Sequence, residues 1–133
     1  MLTNAIFHHV GIATDCIEKT VLEYMNLGYA KSELFIDIIQ NVNILFLKKG
    51  GSSLLELVEP REKSSPVYNI VKKNGVTPYH LCYEVLNIEE CISSLKKRRY
   101  VPLSKPVQAI AFDNRRICFL YNKYLGLIEL LEK

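Results

Sequence analysis

The sequence lacks a long hydrophobic run. A helix that crosses a bilayer needs roughly 20 consecutive apolar residues, and the most apolar stretches, residues 34–39 and 42–47, are interrupted or bounded by Asp37, Gln40 and Lys48. The first five residues also lack the basic segment and apolar stretch that open a secretory signal. We therefore predict a cytoplasmic protein that neither spans a membrane nor is secreted.

A strong charge of one sign is also missing. The 17 basic residues barely exceed the 14 acidic ones, for a formal net charge of +3. Proteins that bind a nucleic-acid backbone carry a much denser basic surface, so we expect no nucleic-acid partner. The short basic clusters are interpreted as solvated faces; they lie at 48–49, 72–73 and 96–99.

The sequence has no Cys-x-x-Cys pair. Its four cysteines lie in apolar segments, where reduced and buried thiols are common. This usage is typical of a reducing compartment. We expect four core thiols, Cys16, Cys82, Cys91 and Cys118.

The chain does have enough apolar material for a packed core. Its 133 residues are 49% hydrophobic and 23% charged, which indicates one globular domain or two small repeated halves. Apolar runs separated by turn residues predict a strand, a helix and three strands in the first half. These elements are a strand at 5–14, a helix capped by Asp15 and ended by Gly28, and strands at 34–39, 42–47 and 53–58.

A second series of elements follows a linker. Pro66 is expected to open a short helix that ends at Asn74 and Gly75. The predicted division of the chain is residues 1–62, a linker at 63–78 and residues 79–133. The second half has a predicted strand at 80–85, a helix capped by Asn87, and short strands near Val101, Ala109, Ile117 and Leu127.

The two halves repeat each other. Aligning His9 with His80 also aligns Ile17 with Ile88, and the final strands at 54–59 and 127–132 match after a small drift. One strand-helix-three-strand unit cannot bury its own sheet. We therefore predict an α+β fold built from two pseudo-symmetric βαβββ modules.

Each half carries one histidine in its first strand and one glutamate in an apolar final strand. A lone histidine or glutamate of this kind is more often structural, but recurrence in both halves favours a metal site. A buried carboxylate needs a partner, and two imidazoles with two carboxylates suit a six-coordinate divalent ion that keeps two positions open. The candidate ligands are His9, Glu56, His80 and Glu129, whereas His8 faces the other side of its strand and is interpreted as structural.

Five segments resemble the vicinal-oxygen-chelate superfamily, also named the glyoxalase/bleomycin resistance/dioxygenase superfamily. Within it the sequence is most similar to the methylmalonyl-CoA epimerases and next to glyoxalase I. The matching segments are Phe-His-His-Val-Gly-Ile-Ala (7–13), Leu-Glu-Leu-Val-Glu-Pro (55–60), Ser-Pro-Val (65–67), Tyr-His-Leu-Cys-Tyr-Glu-Val (79–85) and Gly-Leu-Ile-Glu-Leu-Leu (126–131).

The resemblance implies a cupped mixed sheet around one divalent metal per chain, which the sequence does not distinguish among Ni, Co, Zn and Mn. It also implies an isomerase or lyase that removes a proton α to a metal-chelated carbonyl. The implied catalytic residues are Glu129 and Glu56, both also metal ligands. In the epimerases a further carboxylate on the first-half sheet takes part, but residues 41–45 contain no acid. Asp37, Glu33, or Glu56 together with Glu129 remain alternatives for the second base.

Two positions bear on the substrate. Glyoxalase I has an arginine and an asparagine that help to hold glutathione, where this sequence has Ala13 and Pro60, as the epimerases do. An acyl-CoA is therefore favoured over a glutathione adduct. Arg115 and Arg116 are predicted to bind a CoA phosphate or a substrate carboxylate.

Other functions stay open beside the epimerase-like one. They are a lactoylglutathione lyase of the glyoxalase I type, a metal-free small-molecule-binding protein of the same fold, and an extradiol-type dioxygenase. A homodimer is expected for the leading function.

Overall fold

The computed structural model describes Leu2 and residues 4–133. These residues form two compact units. We call residues 9–79 the first module, and residues 4–8 together with 80–133 the second module. The predicted division at residues 62 and 78 stays a prediction.

The described residues contain nine strands, three α-helices and one 3-10 turn. They are β1 (Ile6–Ala13), α1 (Ile17–Asn26), β2 (Ala30–Asp37), β3 (Val42–Lys48), β4 (Leu54–Pro60), α2 (Tyr68–Asn74), β5 (Thr77–Val85), α3 (Ile88–Lys96), β6 (Val101–Pro102), β7 (Val107–Ala109), the 3-10 turn Ile110–Phe112, β8 (Arg115–Asn122) and β9 (Gly126–Glu132).

The first module is a four-stranded sheet with a helix on one face. The strand order is β2-β3-β4-β1, and β1 runs parallel to β4 while the other pairs are antiparallel. Because side chains alternate along a strand, one face of this sheet is apolar and packs against α1. The buried core on this face is Ile12, Ile17, Val21, Leu45, Leu47 and Leu57.

The second module repeats this arrangement. Its order is β5-β9-β8-β6, with β7 also paired to β8 and with β5 parallel to β9. The outer strand is thus split in two, and the 3-10 turn follows β7. The buried core against α3 is Val85, Ile88, Cys91, Leu95, Cys118, Leu120, Ile128 and Leu130. The α+β fold of two βαβββ modules is confirmed.

The helix starts differ in how well the sequence predicts them. Asn87 caps α3 as predicted, since its side-chain oxygen accepts a hydrogen bond from the Glu90 backbone N–H at 3.0 Å. The prediction of Asp15 as the cap of α1 is wrong, because Cys16 occupies the N-cap position and its side chain makes no capping bond. The Ile17 N–H instead donates to Glu59 Oε2 at 2.8 Å, from β4.

The bounds of two strands, β2 and β5, differ by three or more residues from the predicted ones. β2 begins at Ala30 and ends at Asp37, so Ile38 and Ile39 lie in the turn and are exposed. β5 begins at Thr77, inside the predicted linker. Ladder hydrogen bonds with a neighbouring strand decide these ends, and single-strand patterns do not reveal them.

The four cysteines are free thiols; Cys16 is partly exposed and the other three are buried. In the part of the chain that the structure describes, no helix is long and apolar enough to cross a membrane.

Candidate functional site

His9 and Glu56 form a buried pair in the first module. In the parallel ladder of β1 and β4, Gly11 lies opposite Glu56, so His9, two residues earlier, projects from the same face. His9 Nε2 lies 3.3 Å from Glu56 Oε1. The two residues are 0% and 2% exposed. Leu57, the residue after Glu56, packs on the α1 side of the sheet. Because side chains alternate along a strand, the His9–Glu56 pair lies on the opposite face.

His80 and Glu129 form the matching pair in the second module. Cys82 lies opposite Glu129 in the ladder of β5 and β9, and His80 precedes Cys82 by two residues. His80 Nε2 lies 3.3 Å from Glu129 Oε1. Both residues are buried. The repeat that the sequence indicates is thus reproduced in the geometry of the two pairs.

The donor chemistry of the pairs fits a divalent cation. Imidazole nitrogens and carboxylate oxygens are common ligands of Zn, Co, Ni and Mn. Each of the four residues is buried and offers one such donor atom. A carboxylate that is 2% exposed is costly to ionise without a positive partner or hydrogen bonds, and a divalent cation would supply a positive partner.

Two phenylalanines that sequence reasoning missed lie beside these pairs. Phe46 is directly opposite Glu56 across β3 and β4, and Phe119 is directly opposite Glu129 across β8 and β9. The Phe46 ring is edge-on to His9, with centroids 6.4 Å apart, and the Phe119 ring is edge-on to His80 at 5.0 Å. The repeat contains the signal, because aligning Glu56 with Glu129 also aligns the two phenylalanines.

The next glutamate on each final strand accepts a hydrogen bond from the start of a helix instead. Glu59 and Glu132 lie three residues after the paired glutamates, so their side chains leave the opposite face. Glu59 accepts a bond from the Ile17 N–H, and Glu132 Oε2 accepts one from the Ile88 N–H at 3.3 Å. Each carboxylate thus satisfies a backbone donor at a helix N-terminus.

Arg116 reinforces the second of these contacts. Its guanidinium donates to both oxygens of Glu132 at 3.0 Å and also donates to Glu89. The hydrogen bonds from Arg116 hold the pKa values of the Glu89 and Glu132 carboxyls below their ordinary values. The same bonds raise the pKa of the Arg116 guanidinium.

The predicted substrate-binding arginines face opposite sides of β8. Arg115 lies on the face of Phe119 and Glu129, where its Nη1 donates to Glu84 Oε2 at 2.8 Å and its side chain is one-third exposed. Arg116 lies on the α3 face. A role for either arginine in substrate binding stays a prediction, and the structure brings only Arg115 to the face of the His80–Glu129 pair.

The alternative second bases differ in burial. Asp37 is 2% exposed, and its carboxylate accepts bonds from the Gln40 N–H at 2.9 Å and from Gln40 Nε2 at 2.6 Å. It shares a face with Glu56 but lies level with Pro60, about 13 Å along the strand direction from Glu56 at about 3.3 Å per residue. Glu33 is exposed, in the irregular segment of β2.

His8 has a different environment from His9. Its ring lies edge-on to that of Phe112 in the second module, with centroids 5.5 Å apart. This contact is typical of a packing side chain.

A family model matches most of the chain. It is the model of the Glyoxalase/Bleomycin resistance protein/Dioxygenase superfamily, and it matches residues 8–119. The chain belongs to this superfamily. The match includes the first three of the four candidate ligands and ends before Glu129.

Members of the superfamily with similar sequences include methylmalonyl-CoA epimerases. The human mitochondrial methylmalonyl-CoA epimerase is 33% identical over 127 residues, which cover 92% of this chain and 71% of that protein. The ethylmalonyl-CoA/methylmalonyl-CoA epimerase of Cereibacter sphaeroides is 27% identical over 129 residues, covering 92% of this chain and 94% of that one.

A solved structure supports the fold over nearly the whole chain. A variant of the Streptomyces coelicolor methylmalonyl-CoA epimerase, in complex with 2-nitronate-propionyl-CoA, has a TM-score of 0.84 at 25% identity and covers 96% of each chain.

Proposed function

We infer that the protein is a metal-dependent isomerase similar to methylmalonyl-CoA epimerase. The observation that carries this proposal is the recurrence of one buried His–Glu pair in each module, with the same Nε2–Oε1 distance of 3.3 Å. The proposed metal ligands are His9, Glu56, His80 and Glu129. Two imidazoles and two carboxylates are donors that would hold a divalent cation.

The metal would act on a substrate carbonyl. When bound, it supplies a positive charge that stabilises the negative charge arising as a neighbouring C–H loses its proton. Ni, Co, Zn and Mn all accept these donors.

Removal and return of the substrate proton are assigned to the two paired glutamates. Glu129 would remove it and Glu56 would return it, because a positioned carboxylate can accept a proton and release it again. Asp37 is the alternative to Glu56. Its position level with Pro60 and its two bonds from Gln40 favour a structural role.

The proposed substrate is an acyl-CoA. The support is the similarity to methylmalonyl-CoA epimerases and the presence of Ala13 and Pro60 where glyoxalase I has its glutathione-binding residues. A lyase acting on a glutathione adduct and a metal-free binding protein are the remaining candidates. The homodimer and the cytoplasmic location stay predictions.

Proton exchange tests the proposal. The protein, loaded with Co²⁺ and separately stripped of metal, is incubated in D₂O with methylmalonyl-CoA and with the hemithioacetal of methylglyoxal and glutathione. We expect deuterium at C2 of methylmalonyl-CoA with the loaded protein only. Turnover of the hemithioacetal alone would assign the lyase function, and no reaction of either substrate would favour the binding protein.

A further inference from the structure

We propose that Phe119, and to a lesser degree Phe46, are positioning residues that fix the orientation of the His80 and His9 imidazoles for metal binding. This inference rests on the proposed metal site. It adds two residues to it, one from each module.

The register places each phenylalanine where it can act on both members of a pair. Phe119 is the cross-strand neighbour of Glu129, and Phe46 is the cross-strand neighbour of Glu56. Directly opposite side chains in an antiparallel ladder lie about 5 Å apart at Cβ. Each ring therefore stands beside a carboxylate while its own contact is with the histidine.

The ring geometry is that of an attractive aromatic contact. The planes of His80 and Phe119 are 86° apart with centroids at 5.0 Å, and those of His9 and Phe46 are 71° apart at 6.4 Å. Both are edge-to-face arrangements within the favourable distance range. Such a contact restricts rotation of the imidazole about its terminal torsion, which is otherwise broad.

Orientation decides whether Nε2 can bind. At 3.3 Å from the carboxylate oxygen, a rotated imidazole would present a ring carbon in place of Nε2. Groups that orient a histidine ligand commonly affect metal affinity by about 10- to 100-fold. In this chain the phenylalanine ring contributes to that orientation through packing.

The two contacts are unequal. Phe119 is closer to its histidine, whereas Phe46 is also edge-on to Phe35 at 6.0 Å and divides its contacts. We therefore expect a larger effect in the second module.

Calorimetric titration of the metal-stripped full-length protein with Co²⁺ tests the proposal. Phe119→Leu should raise the Kd about tenfold, at the lower end of the range for orienting groups. Phe46→Leu should raise it about threefold, below that range, because its ring is farther from the histidine. Phe119→Tyr keeps the ring and should stay within about twofold of the wild type. The matched control is Tyr24→Leu on α1. It removes a half-buried ring that is edge-on to the ring of Tyr29, with centroids 5.5 Å apart.

The visible spectrum of bound Co²⁺ supplies a second measurement, and thermal unfolding reports general damage. We expect Phe119→Leu to alter the Co²⁺ spectrum while its Tm falls no further than that of Tyr24→Leu. An unchanged Kd in Phe119→Leu would overturn the proposal, as would an equal loss of affinity in Tyr24→Leu. If His80→Ala binds Co²⁺ as tightly as the wild type, the metal site itself is wrong; if only His80→Ala loses affinity, the positioning role alone is wrong.

Discussion

Glu129 has hydrophobic neighbours on both sides along β9, yet its carboxylate is buried beside His80. The internal repeat makes this residue and its three counterparts recognisable from the sequence. The same repeat aligns Phe119 with Phe46, but it does not indicate their role, because a phenylalanine in a strand is ordinarily sheet packing. Only the cross-strand register places the Phe119 ring against an imidazole.

At the residue scale, the histidines inside and outside the proposed site should behave differently. His80→Ala should weaken metal binding by more than about 100-fold, because the loss of an orienting partner alone costs up to that factor. His8→Ala should keep the metal, since the His8 ring contacts Phe112. Metal content after gel filtration, measured by plasma mass spectrometry, checks both variants. Loss of metal from His8→Ala with retention in His9→Ala would show that the strand register is misassigned.

The base can be assigned by comparing two carboxylates. Glu129→Gln should suppress deuterium entry at C2 of methylmalonyl-CoA by about 100-fold or more, in the range of general-base contributions, and should weaken Co²⁺ binding less. Asp37→Asn should retain exchange, because its carboxylate lies level with Pro60. Proton NMR in D₂O follows both variants. Exchange that survives in Glu129→Gln and disappears in Asp37→Asn would assign the base to β2.

At the scale of the elements, a glutamate on the final strand of each module accepts a hydrogen bond from the first residue of that module's long helix. Asn87 is identifiable from the sequence because it lies three residues before an acid, as capping residues commonly do. Glu59 is not, since it reaches Ile17 across 42 residues of chain. Local patterns predict local caps, and a contact between distant segments needs the folded sheet.

The contacts of Arg116 should make stability depend on pH. The folded pKa values of Glu89 and Glu132 are lowered by Arg116, so this stabilisation is present above about pH 4.3, the ordinary value for glutamate. It is lost as the pH falls through the lowered values. Arg116→Gln should therefore reduce the difference in unfolding free energy between about pH 6 and about pH 3.5, measured by urea denaturation at these two values.

The control for this measurement is Lys105→Gln, which removes one positive charge from an exposed position of the same module. It should leave the pH dependence close to that of the wild type. An equal reduction in both variants would mean that net charge, rather than the Arg116 contacts, causes the effect.

At the scale of the whole molecule, the thiols should differ in reactivity. Burial raises the pKa values of the Cys91 and Cys118 thiols, which leaves less of the reactive thiolate. Iodoacetamide at neutral pH should modify the partly exposed Cys16 before the three buried cysteines. Peptide mass mapping over time gives the order. Labelling of Cys118 as fast as Cys16 would contradict the buried placement of β8.

The repeat also explains how far the fold can be predicted. Two copies of one strand-helix-three-strand pattern in the amino-acid sequence are enough to indicate the βαβββ modules. The split of the outer strand into β6 and β7 is harder to interpret, because strands of two and three residues carry almost no periodicity. The substrate is harder still to predict from the sequence, since one fold can support several reactions.

The most direct measurement is anomalous X-ray diffraction from crystals of the Co²⁺-loaded protein. One cobalt peak per chain is predicted, bonded to His9, Glu56, His80 and Glu129. A cobalt bound by other residues, or by only one of the two His–Glu pairs, would contradict the proposed site.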